Sequence, residues 1–360
     1  MGASEAGQVP RTEMALPPEM ALPEAARCPT HHARLSVAPG EGFDREEAIR
    51  GSCGCTFAIR KGIPRFVPDS GYADAFGLQW NEFPKTQLDS FTRTTISRDR
   101  LTRCVGGSLE ILRGKTVLEV GCGAGRFTEI LLASGARVFA ADLSRAVEAN
   151  RANCGPAPDY FVCQANVMEL PVAPGAFDFV IALGMIQHTP SPEATIAALA
   201  SAARPGGVLV VDHYRTPSPI VGLAYLFTPR ALLREVFFRV PPATALRGVR
   251  LIVGALLPVH RALWRPGAVV RRLRSLWRRI SPVFDYYDAY PELGEHLNEW
   301  ALLDTHDALT DRYKHLRSPE QIAQALRAAG LETIECRAGG NGVEARAVRP
   351  LAGPMGAIAT

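Results

Sequence analysis

The chain has no uncharged apolar run of membrane-spanning length and no charged-then-apolar leader ending in small residues, and Ala6 stands where a myristoylation signal needs serine or threonine. These absences set the expectation of a cytoplasmic protein in which nothing crosses a bilayer. Its eight cysteines follow no disulfide-framework spacing, so they read as reduced thiols. Acid is nearly missing from one stretch: between Arg230 and Arg279 twelve arginines stand against Glu235 alone. The mild net charge of +4 therefore hides a local basic segment in a chain that is otherwise net acidic. With 47% hydrophobic residues over 360 positions, one large core plus extras can form, and wholesale disorder is excluded. There is no internal repeat.

Residues 1–26, rich in Ala, Pro and Glu without a period, read as a disordered tail, and 351–360 form a tail at the other end. A small unit follows over 27–68, then an aromatic-rich helical segment over 69–114. From Lys115 the pattern alternates strand and helix, which argues for a parallel α/β sheet covered on both faces. Strands are expected near 116–120, 137–141, 160–164, 177–183 and 207–213, making a core over 115–215. About a hundred residues, 216–317, then interrupt the pattern, far more than an ordinary connection. Ser318-Pro319-Glu320-Gln321 predicts a helix start with a capping box, and Gly330 its stop. Segments 331–337 and 343–348 complete seven strands over 318–350, the last expected antiparallel.

The most telling run is Val117-Leu118-Glu119-Val120-Gly121-Cys122-Gly123-Ala124-Gly125-Arg126. A buried strand ends in a carboxylate and breaks into glycines, whose backbone can take positive φ and bring N–H groups against a ligand. A dinucleotide fingerprint would need its third glycine at Arg126 and asks for no acid before the first. The spacing E-x-G-x-G-x-G resembles the first motif of class I S-adenosylmethionine-dependent methyltransferases. Further along, Asp142 ends the second strand, Asn166-Val167 follow the third, Leu183-Gly184 follow the fourth, and Arg204-Pro205-Gly206-Gly207 turns into the fifth. Each resembles a family segment in order. The resemblance implies a Rossmann-like seven-strand methyltransferase sheet and S-adenosylmethionine as cofactor. Held by it would be the loop with Glu119, Gly121, Cys122, Gly123 and Gly125, Asp142 and Leu143 at the ribose, Asn166 and Val167 at adenine, and Leu183 and Gly184 beside the donor. Asn166 departs from the family's usual aspartate.

Methyl transfer from a sulfonium needs positioning and desolvation more than proton chemistry, but a hydroxyl acceptor is helped by a base. His188, in Gly184-Met185-Ile186-Gln187-His188, is the candidate; the alternative is a cap of the following turn. No N-P-P-Y or D-P-P-Y follows the fourth strand, and there is no paired-glutamate hairpin, which argues against methylation of bases, glutamine amides or arginine; O-methylation is favoured over methylation of carbon or nitrogen. The segment with Tyr72, Phe76, Gln79, Trp80, Phe83 and Gln87 resembles the N-terminal lid of bacterial methyltransferases of surface-glycan and secondary metabolism. Its aromatics keep helical spacing, which packing on the sheet explains, while Tyr72, Gln79, Trp80 and Gln87 are candidate acceptor contacts. Asp304, His306 and Asp307 are the densest polar cluster of the insertion, read either as acceptor or metal ligands or as a solvated helix turn, the latter expected.

Cys28 and His31 form a good chelating pair, Cys53 and Cys55 a cramped one. With Phe57, Ile59 and Gly62-Ile63-Pro64 the unit resembles the zinc-ribbon domain of tRNA-methyltransferase activator proteins, departing from it where Arg50 occupies a ligand position. The expectation is a degenerate ribbon held by its small core, with Cys28, His31, Cys53 and Cys55 the ligands for zinc where it binds. Over 268–280, Val269, Val270, Leu273, Leu276, Trp277 and Ile280 share one helix face and arginines the other. This is either a helix packed on its own domain or one lying on an anionic membrane at the inner face, beside apolar Pro219–Thr228 and Leu251–Val259. No stacking aromatics alternate with the arginines, which argues against nucleic acid. The acceptor is then a small molecule or a lipid-linked or glycan molecule. A non-catalytic cofactor-binding activator and an RNA methyltransferase remain the alternatives.

Overall fold

The structure, a computed structural model, describes residues 22–38, 48–68, 73–217, 228–264 and 267–351. Nearly all of the expected tails, Tyr72, and the apolar run Pro219–Thr228 except Thr228 lie outside the described residues.

Five parallel strands make the centre: β5 (Thr116–Val120), β6 (Arg137–Asp142), β7 (Tyr160–Gln164), β8 (Phe177–Ala182) and β9 (Ala203–His213). With β10 (Glu332–Gly339) and β11 (Gly342–Val348) they form one sheet in the order β10-β11-β9-β8-β5-β6-β7, and β11 runs antiparallel to both neighbours as expected. Alternation decides which side chain enters which layer. Leu118, Val120, Phe139 and Leu209 face one layer, where Ile196 and Leu199 of α6 (Pro192–Ala202) and Ile322 and Leu326 of α11 (Pro319–Ala328) cover them. Val117, Val138, Val162 and Val210 face the other, against Leu101 of α3 (Ile96–Val105), Leu131 of α4 (Thr128–Ala133) and Val147 of α5 (Val147–Cys154). Truncating a fully buried side chain such as Leu118 would cost about 2–5 kcal/mol. The predicted capping box is present: the Ser318 N–H donates to Gln321 Oε1 at 2.9 Å and the Gln321 N–H to Ser318 Oγ at 3.3 Å.

Strand order reverses between β5 and β8, so a crevice opens at their C-terminal ends, where open α/β sheets bind ligands. Two structures close over it. One is the segment with α1 (Asp74–Glu82), α2 (Asp89–Thr92) and α3; the other is the insertion, with α7 (Pro229–Phe237), α8 (Pro242–Leu263), α9 (Ala268–Ile280) and α10 (Leu297–Thr310). Phe83 packs on Leu246 and Leu303 of the insertion, not on the sheet, and Phe76 and Trp80 face the crevice. The sheet-packing expectation for these aromatics is thereby corrected: helical spacing marks a packed face but not the layer it packs on.

α8 is the one helix among the described residues long and apolar enough, by length and composition alone, to cross a membrane. Uncharged runs miss it because Arg247, Arg250 and Arg261 punctuate it. Buried His260 ties its end to the insertion, with Nδ1 2.6 Å from Asp285 and Nε2 2.7 Å from Ser281 Oγ.

The N-terminal unit is a four-stranded antiparallel sheet, β1 (Leu35–Ala38), β2 (Ala48–Gly51), β3 (Thr56–Arg60) and β4 (Ile63–Pro64). It is joined to the edge of the large sheet: Arg65 bridges Gln164 of β7, and the Phe66 N–H donates to the Gln164 carbonyl at 2.8 Å.

Candidate functional site

The crevice is a cavity of about 550 Å³. One half of it is built by the turn after β5. Gly121, Gly123 and Gly125 all have positive φ, at 74°, 49° and 101°. A Cβ on Gly121 would stand 2.6 Å from Met185, and one on Gly123 would touch the Trp80 ring at 3.5 Å, so the cradle is shaped for backbone. Asp142, at the end of β6, braces the turn: one oxygen accepts from the Gly123 N–H at 2.9 Å, the other from the Ser144 N–H and hydroxyl at 2.8 and 2.7 Å. Burial raises its pKa against these bonds.

Gly121, Cys122, Gly123, Asp142, Leu143, Asn166, Val167, Leu183 and Gly184 all line this cavity. Glu119 and Gly125 do not. Glu119 lies buried behind the turn, accepting from the Thr128 hydroxyl at 2.6 Å, and burial, with Asp142 adding to it, lifts its pKa to about 8. The Asn166 oxygen accepts from the Met168 N–H at 3.0 Å, which orients the amide, since its NH2 cannot accept. These groups fit a nucleoside-bearing donor: a carboxylate at the ribose position, a backbone cradle, and apolar Val167 and Leu183 walls.

His188 lines the cavity from the short 3-10 turn after β8. Its Nδ1 lies 3.2 Å from the Tyr313 carbonyl, which can only accept, so Nδ1 carries the hydrogen and Nε2 a lone pair. Burial lowers its pKa to about 4, which keeps the ring neutral at physiological pH. Phe76 and Tyr214 contact the ring edge-on at 5.3 and 5.4 Å between centroids.

The other half is walled by Phe76, Trp80, Tyr214, Tyr286, Tyr290 and Trp300. Asp304 and Asp307 of α10 also line it, one turn apart. They are not a solvated helix turn, which corrects that expectation: α10 is enclosed by α7, α8 and α1, and desolvation raises both carboxyls to about 6. Asp304 accepts from Gln87 at 3.1 Å, from the Trp300 indole at 3.2 Å and from the Tyr286 hydroxyl. His306 is fully buried outside the cavity, its Nδ1 donating to Gln79 Oε1 at 2.5 Å. Gln79, Trp80 and Gln87 line the cavity; Tyr72 lies outside the described residues.

Arg126 joins the two halves. Its half-buried guanidinium donates to Ser97 Oγ at 2.9 Å and Gln87 Oε1 at 2.8 Å and lies over the Phe127 and Trp300 rings. The role was hidden in the sequence, where Arg126 marked only the missing third glycine. Tyr214, Tyr286, Tyr290 and Lys314 were also unforeseen, coming from loops whose spacing carries no period.

Away from the cavity, Cys28, His31, Cys53 and Cys55 bring their ligand atoms within 4.8 Å of one another. Cys28 Sγ and Cys55 Sγ lie 3.8 and 3.4 Å from His31 Nδ1. Zn–S bonds of about 2.3 Å and Zn–N bonds of about 2.0–2.1 Å in a tetrahedron give edges of this size, so the residues fit zinc. The cramped pair works because the positive φ of Gly54 (90°) folds Cys53 and Cys55 to the same side. A hydrogen bond from the Cys55 backbone leads the causes that lower the Cys53 thiol to about 7.

The methyltransferase domain family matches residues 118–211. The ubiquinone biosynthesis O-methyltransferase of Aromatoleum aromaticum is 40% identical over 100 residues, 27% of this chain and 42% of that protein. O-methyltransferase cnsE of Penicillium expansum is 33% identical over 168 residues, 41% of this chain and 61% of that protein. The chain thus spans about half the length of the curated relatives it matches. A solved structure, the magnesium protoporphyrin IX methyltransferase of Synechocystis with bound SAH, is 16% identical with a TM-score of 0.40, covering 77% of this chain and 96% of that one. Over residues 118–211, within a seven-strand sheet, this chain carries a methyltransferase domain.

Proposed function

We propose that the protein is an S-adenosylmethionine-dependent methyltransferase acting on an oxygen of a small-molecule acceptor, with a lipid-linked or glycan hydroxyl as the finer reading. The observation that carries it is one cavity lined by the glycine turn, Asp142 and a neutral His188. When bound, the donor supplies an electrophilic methyl whose leaving group needs no proton. Asp142 would hold the ribose, Asn166 and the Val167 N–H the adenine, and the Gly121–Gly123 turn the amino-acid end. His188 Nε2 would take the acceptor's proton, and Trp80 with Gln87 would close the site from water. In this reading 69–114 is a lid, 115–215 with 318–350 the donor domain, and 216–317 the acceptor side.

The lipid-linked reading draws on α9. Val269 is 71% exposed, and Leu273, Leu276 and Ile280 continue the same exposed stripe beside Arg272 and Arg279. Leucine side chains that enter an interface beside free arginines suit an anionic lipid surface. The ribbon over 27–68 would hold one zinc ion through its four ligands.

The test is transfer of labelled methyl from S-adenosylmethionine to phenolic, glycan and prenyl-lipid alcohols by the purified protein. Labelled acceptor that vanishes in His188→Gln, with donor binding kept, supports the reading. Methyl transfer to RNA or amines instead would replace it.

A further inference from the structure

Asp311, the residue that ends α10, is completely buried, and its Oδ2 lies 3.5 Å from His188 Nδ1. That oxygen has no hydrogen-bond partner. The carboxylate does not drift, because Arg234 of α7 clamps it: Nε donates to Oδ1 at 2.7 Å and Nη2 to the Asp311 carbonyl at 2.7 Å. Two nitrogens face it at 3.5 Å, Lys314 Nζ and His188 Nδ1, so the oxygen is placed to interact with charge on either without a hydrogen bond to hold it elsewhere.

We infer that Asp311 is a positioning residue for His188, an Asp–His pair in which the insertion supplies the carboxylate and the sheet supplies the imidazole. This rests on the proposed role of His188 as base. In the step, the acceptor oxygen gives its proton to His188 Nε2 and its electron pair to the methyl carbon, whose bond to sulfur breaks with both electrons left on sulfur. His188 is then an imidazolium, and Asp311 Oδ2 faces the Nδ1–H of that new charge; the proton leaves afterwards to solvent. The sheet and the insertion are therefore both needed for the base, although more than a hundred residues separate His188 from Asp311.

The charged and titratable groups facing this pair are Arg234 and Lys314, whose Nζ is 3.5 Å from Asp311 Oδ2, together with Asp307 and Tyr214. Asp311 favours the protonated imidazole, while Lys314 and Arg234 oppose it. The variants therefore have opposite signs.

The experiment is NMR titration of the ¹⁵N-histidine-labelled full chain, with His188 assigned by loss of its signal in His188→Gln. Asp311→Asn should lower the His188 pKa, and Lys314→Met should raise it. The second variant decides the matter where the first does not fold. With S-adenosylmethionine and catechol, Asp311→Asn should also lose about tenfold or more in kcat at unchanged donor Kd. A His188 titration that stays put in the folded variants overturns the pairing, and so does an unchanged kcat. Should the wild type turn over no acceptor while His188 still shifts with both variants, the pairing stands and the methyltransferase reading fails instead.

Discussion

Asn166 occupies a position where related sequences are expected to carry aspartate, and the geometry says what the change does. Its oxygen accepts from the Met168 N–H and keeps a second lone pair, but brings no charge to it. Adenine's exocyclic amine would donate to that lone pair more weakly than to a carboxylate. Asn166→Asp would keep the bond to Met168 and present a second acceptor, tightening S-adenosylmethionine binding by about 1 kcal/mol, roughly fivefold, by calorimetry. Glu119 offers a pH test. Its pKa, about 8 in the folded protein against an ordinary 4.5, means that between those values the folded chain keeps a proton the unfolded chain has lost. Stability should therefore fall as pH rises through this window, and Glu119→Gln should flatten that slope in denaturant melts at about pH 6 and about pH 8.

The turn after β5 depends on backbone more than on side chains. Gly121→Ala would force a Cβ to within 2.6 Å of Met185 at a φ of 74°, so a loss of about 1–3 kcal/mol is expected along with donor binding, read by thermal melts and calorimetry. α9 makes a separate prediction. Leu273→Asp with Leu276→Asp should abolish co-sedimentation with phosphatidylserine vesicles while leaving the cavity intact; binding that survives removes the membrane reading. The ribbon adds another. Elemental analysis should find one zinc per chain, lost in Cys28→Ala, and a metal-free wild type would leave the ribbon to its own core.

Much of the architecture was legible in the sequence because it is written in local rules. The buried run Val117–Val120, the glycines, Asp142 and the Ser318–Gln321 box each specify a geometry within a few residues. The half of the cavity under the insertion was not legible. Arg126 reaching Gln87, Gln87 reaching Asp304, and Asp311 meeting His188 are contacts between segments tens to hundreds of residues apart, and no period marks them. Asp304, His306 and Asp307 looked like a solvated turn for the same reason: burial on α10 comes from α7, α8 and α1, not from the helix's own sequence. α1 and the insertion are further tied by Gln79 to His306 and by Arg250 to Glu82, so one clasp spans both halves of the cavity. The central claim is that this clasped cavity holds the sulfonium donor. Calorimetric titration of the purified protein with S-adenosylmethionine, with NAD as control, tests it most directly: micromolar binding to the donor alone, lost in a folded Asp142→Ala variant, is the predicted result, and binding of NAD, or no donor binding at all, would contradict it.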